Sequence, residues 1–137
     1  MADLTITAAN VVAGVGARKT TGIAGATITA GQLVYQDPAD SKYKLADGNS
    51  GTAAVRAAAG IALHGASDGQ PLSVHLEGLL TIGAAVSTAV GYYLSSNPGG
   101  ICPVADLATG AYPILIGFAV SATVIDVKIH PAGVALP

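Results

Sequence analysis

Three histidines, a single cysteine and a glycine-rich run ahead of two basic residues are the features of this 137-residue chain whose types could do chemistry. The run Gly14-Val15-Gly16-Ala17-Arg18-Lys19-Thr20 has the look of a phosphate loop. Such a loop needs glycine directly before its lysine, so that backbone N–H groups close on the phosphate, and a helix behind it. Arg18 occupies that place and no helical pattern follows, so the run reads as flexible chain. His64, His75 and His130 lack the i,i+2 or i,i+4 spacing that sets two imidazoles on one face as metal ligands. They read as surface histidines, His64 in a turn and His75 on the polar side of a strand. His64, Ser67 and Asp68 hold the letters of a hydrolytic triad, but one turn cannot bring three side chains together from separate elements. Cys102 precedes Pro103 without a basic neighbour and reads as a small buried hydrophobe. The expectation is a chain with no catalytic residue, no cofactor and no metal site.

The elements that carry these residues are short. Leu4-Thr5-Ile6-Thr7 and Ala26-Thr27-Ile28-Thr29 alternate apolar and polar, as half-buried strands do. Gln32 to Gln36 and Lys42 to Leu45 flank Asp37-Pro38-Ala39-Asp40-Ser41, where proline fixes φ and Asp or Ser bonds the backbone locally, which predicts a hairpin. Thr52 to Ala59 is alanine-rich and fits either one helical turn or a strand. Further strands are expected at Ile61–Leu63, Pro71–Leu76, Leu79–Ile82, Gly91–Leu94, Ile114–Val120 and Thr123–Ile129. Residues 8 to 26 offer few anchors and read as an extended arm or loop. Many short strands without a long helical pattern predict an all-β barrel or sandwich of antiparallel strands.

One text is written twice. Gly31-Gln32-Leu33-Val34-Tyr35, Lys44-Leu45-Ala46-Asp47 and Gly60-Ile61-Ala62-Leu63 have counterparts in Gly91-Tyr92-Tyr93-Leu94-Ser95, Pro103-Val104-Ala105-Asp106 and Gly117-Phe118-Ala119-Val120. A repeat of roughly 60 residues implies a duplicated supersecondary unit. Asp47 and Asp106 fall at matching positions and suggest turn-closing carboxylates. The expected organisation is an N-terminal arm over residues 1–26 and a β domain over 27–137, divided at about 27–78 and 79–137.

Composition narrows the function. Hydrophobic residues make up 51 % and charged residues only 10 % of the chain, against ~25 % charged in ordinary soluble domains. So little surface charge predicts burial against other copies, with a trimer favoured over a dimer. A net charge of −2 and six scattered basic residues give no stripe to follow a phosphate backbone, so nucleic acid is excluded as a partner. Neither an apolar run long enough to span a membrane nor a secretion signal is present in the sequence as read.

The order of these motifs is similar to that of the capsid cement (head decoration) proteins of tailed bacteriophages, long catalogued as a domain of unknown function. The residues that carry the resemblance are Gly31-Gln32-Leu33-Val34, Gly60-Ile61-Ala62-Leu63-His64-Gly65-Ala66, the run Gly69 to Gly78, Ile116-Gly117-Phe118-Ala119-Val120 and Asp126-Val127-Lys128-Ile129. The resemblance covers roughly residues 28 to 130. The resemblance implies a structural virion protein that is made in the host cytoplasm and binds the major capsid protein on the outer surface of the shell. The alternatives are another phage structural subunit, such as a tail tube, fibre or head spike, or a small hydrolase. On the cement reading the arm grips the capsid, with Leu4, Ile6, Val11 and Val12 as its contacts.

Overall fold

Twelve consecutive residues, Pro71–Ile82, form the strand around which everything else is arranged. The computed structural model describes residues 3–107, 109–131 and 134. In chain order the strands are β1 (Val11–Ala13), β2 (Arg18–Ile23), β3 (Leu33–Gln36), β4 (Tyr43–Leu45), β5 (Gly60–Ala62), β6 (Pro71–Ile82), β7 (Gly91–Leu94), β8 (Ile101–Pro103), β9 (Ile114–Ala119) and β10 (Val124–Pro131). A single helical turn, α1 (Ala53–Arg56), and two 3-10 turns complete the elements. The protein is all-β, a curled antiparallel sheet in the order β4-β3-β5-β6-β10-β9-β7-β8, with β1 and β2 also paired to β6.

β6 serves two neighbourhoods. Its first half lies between β2 and β5, and its second half between β1 and β10. The change falls near Gly78, whose φ of +98 is open to glycine at little cost and strained for other residues. On one side of this bend the strands curl far enough that Ala24, just past β2, forms a parallel bridge with Tyr43 of β4. Ala24, Ile28, Val34, Tyr43, Ala62, Ala66, Leu72 and Val74 pack together there. The larger core gathers Leu33, Ile61, Leu80, Ile82, Leu94, Ile101, Ile116 and Ile125, among others. Each such side chain contributes roughly 1.5–3 kcal/mol relative to exposure.

The strand order reads alike from both ends. β4-β3-β5 leads to β6 as β8-β7-β9 leads to β10. Val34 pairs with Leu45 on one side and Gly60 on the other; Tyr92 pairs with Pro103 and Gly117 in the same way. A Cβ on Gly60 would collide with the carbonyl oxygen of His75 on β6, and one on Gly117 with that of Asp126 on β10. Both glycines let a short strand lie tightly against its longer neighbour. The first strand is registered differently from the sequence match, since Leu33 rather than Gly31 takes the place of Gly91 in the ladder.

Residues 3–26 do not stand apart as an arm. β1 and β2 are full members of the sheet, and Leu4 and Ile6 pack against the larger core. The few apolar anchors there suffice because β6 supplies the backbone partners that the segment lacks on its own. Leu4-Thr5-Ile6-Thr7 is consequently not a strand: the Leu4 N–H donates to the Ile101 carbonyl at 2.8 Å and the Thr7 N–H to that of Gly83 at 2.8 Å. Ala26 to Thr29 contributes only an isolated bridge, Ile28 to Ala66.

The β3–β4 turn is closed as its residue types predict. Asp37 accepts from the Ala39 N–H at 2.9 Å, and Lys44 reaches Asp37 at 2.7 Å and Asp40 at 3.2 Å. Lys44 holds the Asp37 carboxyl below the usual range; the Lys42 N–H chiefly does so for Asp40. Asp47 closes its own turn by accepting from the Asn49 N–H at 2.9 Å, while Asp106 ends the 3-10 turn Val104–Asp106.

Gly60→Ala and Gly117→Ala should each destabilise the fold by roughly 2 kcal/mol or more, because backbone must move to admit the methyl group. Gly51→Ala, whose Cβ meets nothing within 4 Å, should leave the urea midpoint almost unchanged. Equilibrium urea unfolding of the three variants checks this.

Candidate functional site

At the bend of β6, β1 and β2 run along it in the same direction, both antiparallel to it, as one edge strand broken by a projecting bulge. β1 and β2 are joined by Gly14, Val15, Gly16 and Ala17, which cross directly over Gly78. The Gly14 N–H donates to the Leu79 carbonyl at 2.7 Å. A Cβ on Gly14 would lie 2.9 Å from that same oxygen, and one on Gly78 would lie 2.9 Å from the Gly16 carbonyl oxygen. The crossing therefore depends on the absence of side chains at both positions. Gly16 turns the chain with a φ of +77. At the foot of the bulge Arg18 meets Glu77 at 2.9 Å, a solvent-exposed pair of small energetic weight. Val15 stands at the tip, 89 % exposed, and Val12, on the strand just before the bulge, is 57 % exposed. No charged residue lies between Asp3 and Arg18.

Under this crossing lies His75. It is fully buried, which overturns its expected place on the polar surface. The alternation of Leu72, Val74 and Leu76 is real, but β2 and β5 flank the histidine with Lys19 and Ile61 as its ladder partners. Its Nε2–H donates to the Gly78 carbonyl at 2.9 Å, tying the strand to its own bend. Nδ1 has no hydrogen-bond partner among the described residues. Burial pushes the imidazole pKa below its ordinary value of 6.5; the Gly78 carbonyl opposes this and the Lys19 charge adds to it. A neutral ring leaves Nδ1 as a bare acceptor, whereas protonation would bury an unpaired donor and a charge.

The other candidates are separated. His64 is exposed; its Nε2 accepts from the Ser73 N–H at 3.0 Å, which leaves Nδ1–H to donate to the Gly65 carbonyl at 2.9 Å. The Ser67 N–H donates to Gln70 and Asp68 faces Lys42 at 3.5 Å, so the triad letters point to different partners. The Cys102 thiol is buried and pushed up to about 11, first by burial and then by Asp3 and Asp106. Asp3 also accepts from the Ser95 hydroxyl at 2.6 Å and the Asn97 amide at 3.0 Å. Among the described residues no three His, Cys, Asp or Glu side chains gather as metal ligands, and no helix is long and apolar enough to cross a membrane.

Of the four residues expected to touch a capsid, the structure separates Val12 from the rest. Leu4 and Ile6 are half-buried on the core and Val11 is buried within it. The tip residue Val15 carries more free apolar surface than any of them. The glycines on either side of it, inside an otherwise β-prone stretch, were the signal for a bulge there. Scanned against protein-family models and searched against curated proteins, the chain finds no match.

Between pH 7 and pH 5 the unfolded chain takes up a proton at His75 that the folded chain resists. Stability is therefore full above about pH 6.5 and falls as the solution is acidified toward the folded-state pKa. His75→Gln keeps a donor for the Gly78 carbonyl and does not titrate; its melting temperature should fall less over this interval. Thermal melts of both proteins at pH 7.5 and pH 5 test the point. Cys102 should react with a thiol reagent only at the rate of unfolding, a burst of labelling in native buffer being the contrary result.

Proposed function

We propose that this protein is a capsid cement protein, which binds the major capsid protein on the outer surface of a phage head and stabilises the shell. The observation that carries the reading is the bulge between β1 and β2, an uncharged Val-Gly tip that projects from the sheet edge where the chain crosses Gly78. A firmly based apolar tip loses little conformational entropy on docking, and it needs only a shallow pocket on the shell. Each copy then needs only modest affinity, because many contacts on one particle act together. A protein that binds the assembled shell and not its free subunits stabilises the shell by mass action. The matching strand order at the two ends of the sheet and the pair Gly60 and Gly117 support the further reading that the two halves are related. The sequence motifs shared with cement proteins fall largely on β3, β5, β6, β9 and β10. No cofactor enters this role.

The grip is assigned to Val12 and Val15 in place of Leu4, Ile6 and Val11, whose surfaces are engaged within the chain. Val15→Asp, alone or with Val12→Asp, should leave the melting temperature within a few degrees of the parent. Occupancy on heads assembled from the capsid protein encoded with this chain should fall by about tenfold or more, at a cost similar to burying a lone charge at an interface. Electron microscopy and co-sedimentation of decorated heads read this directly; unchanged occupancy by the double variant would refute the grip by the bulge. Deleting residues 2–26 removes β1 and β2 from β6 and should abolish cooperative folding, which far-UV circular dichroism would reveal.

A further inference from the structure

The outer face of β9 and β10 combines exposed apolar side chains with two opposite charges that have no ion-pair partner among the described residues. Phe118 is 53 % exposed and Val120 is 49 % exposed, both on or at the end of β9. Phe118 pairs across the ladder with Asp126 of β10, so the two side chains share a face. Lys128 follows two residues later and is exposed like Asp126, while Val127 between them points into the core. Arg18, Lys42 and Lys44 each have a carboxylate partner, whereas Asp126 and Lys128 appear in no such pair. Beside Phe118 the surface dips into a hollow of about 220 Å³, where Gly117 contributes no side chain and Leu115, Lys128 and His130 form the walls.

We infer that this face is a two-fold contact between copies of the chain. A two-fold axis lying in the interface and crossing β10 at Val127 places each Asp126 opposite the other copy's Lys128. The same rotation carries each Phe118 over the other copy's hollow at Gly117 and Leu115. One patch thus supplies a projection, the depression that receives it, and both members of a reciprocal charge pair. Self-complementarity of this kind is what an isologous contact requires. An apolar partner of another kind would match the phenylalanine but would have no use for paired opposite charges in this order. The contact is a pair, not the threefold set that composition suggested, and it lies on different strands from the β1–β2 bulge. It stands whether or not the protein decorates capsids.

Analytical ultracentrifugation of the full chain across micromolar to millimolar concentrations should show twice the 13.3 kDa chain mass. Phe118→Asp should weaken the pair by about 30-fold, as loss of a central aromatic anchor does. Asp126→Lys and Lys128→Asp should each weaken it by about tenfold through like-charge contact. One further variant and one mixture give the decisive result. The double variant carrying both reversals should pair as the parent does, and the two single variants mixed together should form a heterodimer preferentially. All these substitutions lie on an exposed face, and a melting temperature near the parent's identifies folded protein. A parent that stays monomeric throughout the range, a trimer, or a Phe118→Asp variant that pairs as tightly as the parent overturns the inference. So does a double reversal that fails to restore pairing, or a monomer that attaches to heads through Phe118.

Discussion

β1, β2, β5 and β10 all take backbone partners from β6, and β3 and β4 join it through β5. A twelve-residue strand offers hydrogen-bonding groups on two edges, and here both edges are used along much of its length. Unpaired backbone groups in a buried strand are costly, so each flanking segment is held by β6's need for partners as much as by its own apolar content. That is why β1 and β2, poor in large side chains, are ordered parts of the sheet. The bend at Gly78 lets one strand address two neighbourhoods.

The bend also concentrates the polar chemistry of the interior. His75 bonds to the carbonyl of Gly78, and the β1–β2 crossing lies over that same glycine at backbone contact distance. A substitution at Gly78 or His75 would therefore act on the tip of the bulge without touching Val15. Stability of the sheet and presentation of Val15 are coupled through one backbone position. The coupling is local packing rather than a conformational switch, since glycines permit the contact and a buried neutral imidazole holds the turn.

Two surfaces follow from this scaffold. The tip of the β1–β2 bulge is apolar, small and uncharged, which is what the proposed capsid contact asks of it. The β9–β10 face carries opposite charges at Asp126 and Lys128, which is what the inferred two-fold contact asks of it. Low overall charge has different consequences at the two places. At the tip no charged group has to be desolvated on contact, while on the sheet face the two charges would set orientation. On these two readings each pair of copies offers two tips to a lattice.

Strand content, the β3–β4 hairpin and the last strands were legible because alternation, β-branched residues and turn chemistry act over a few residues. Gly91–Leu94 emerges with the bounds its pattern predicts, and Ile125 and Val127 point inward as their spacing requires. The recurrence of Gly60 and Gly117 could also be read from the chain, since each marks a close approach of strands. What the sequence could not assign was partnership across distance. β1 and β2 became strands only because β6 had free edges to fill, a condition set by residues that lie 48 to 71 positions away. His75 looked like a surface residue because alternation places it opposite Leu72 and Val74; the curl of the sheet buried that side as well. Leu4 and Ile6 looked free for a partner until the core claimed them, and Val15 became the exposed tip because Gly14 and Gly78 cross. Local periodicity is fixed by the chain itself, whereas the covering of a face depends on which distant segment comes to lie over it.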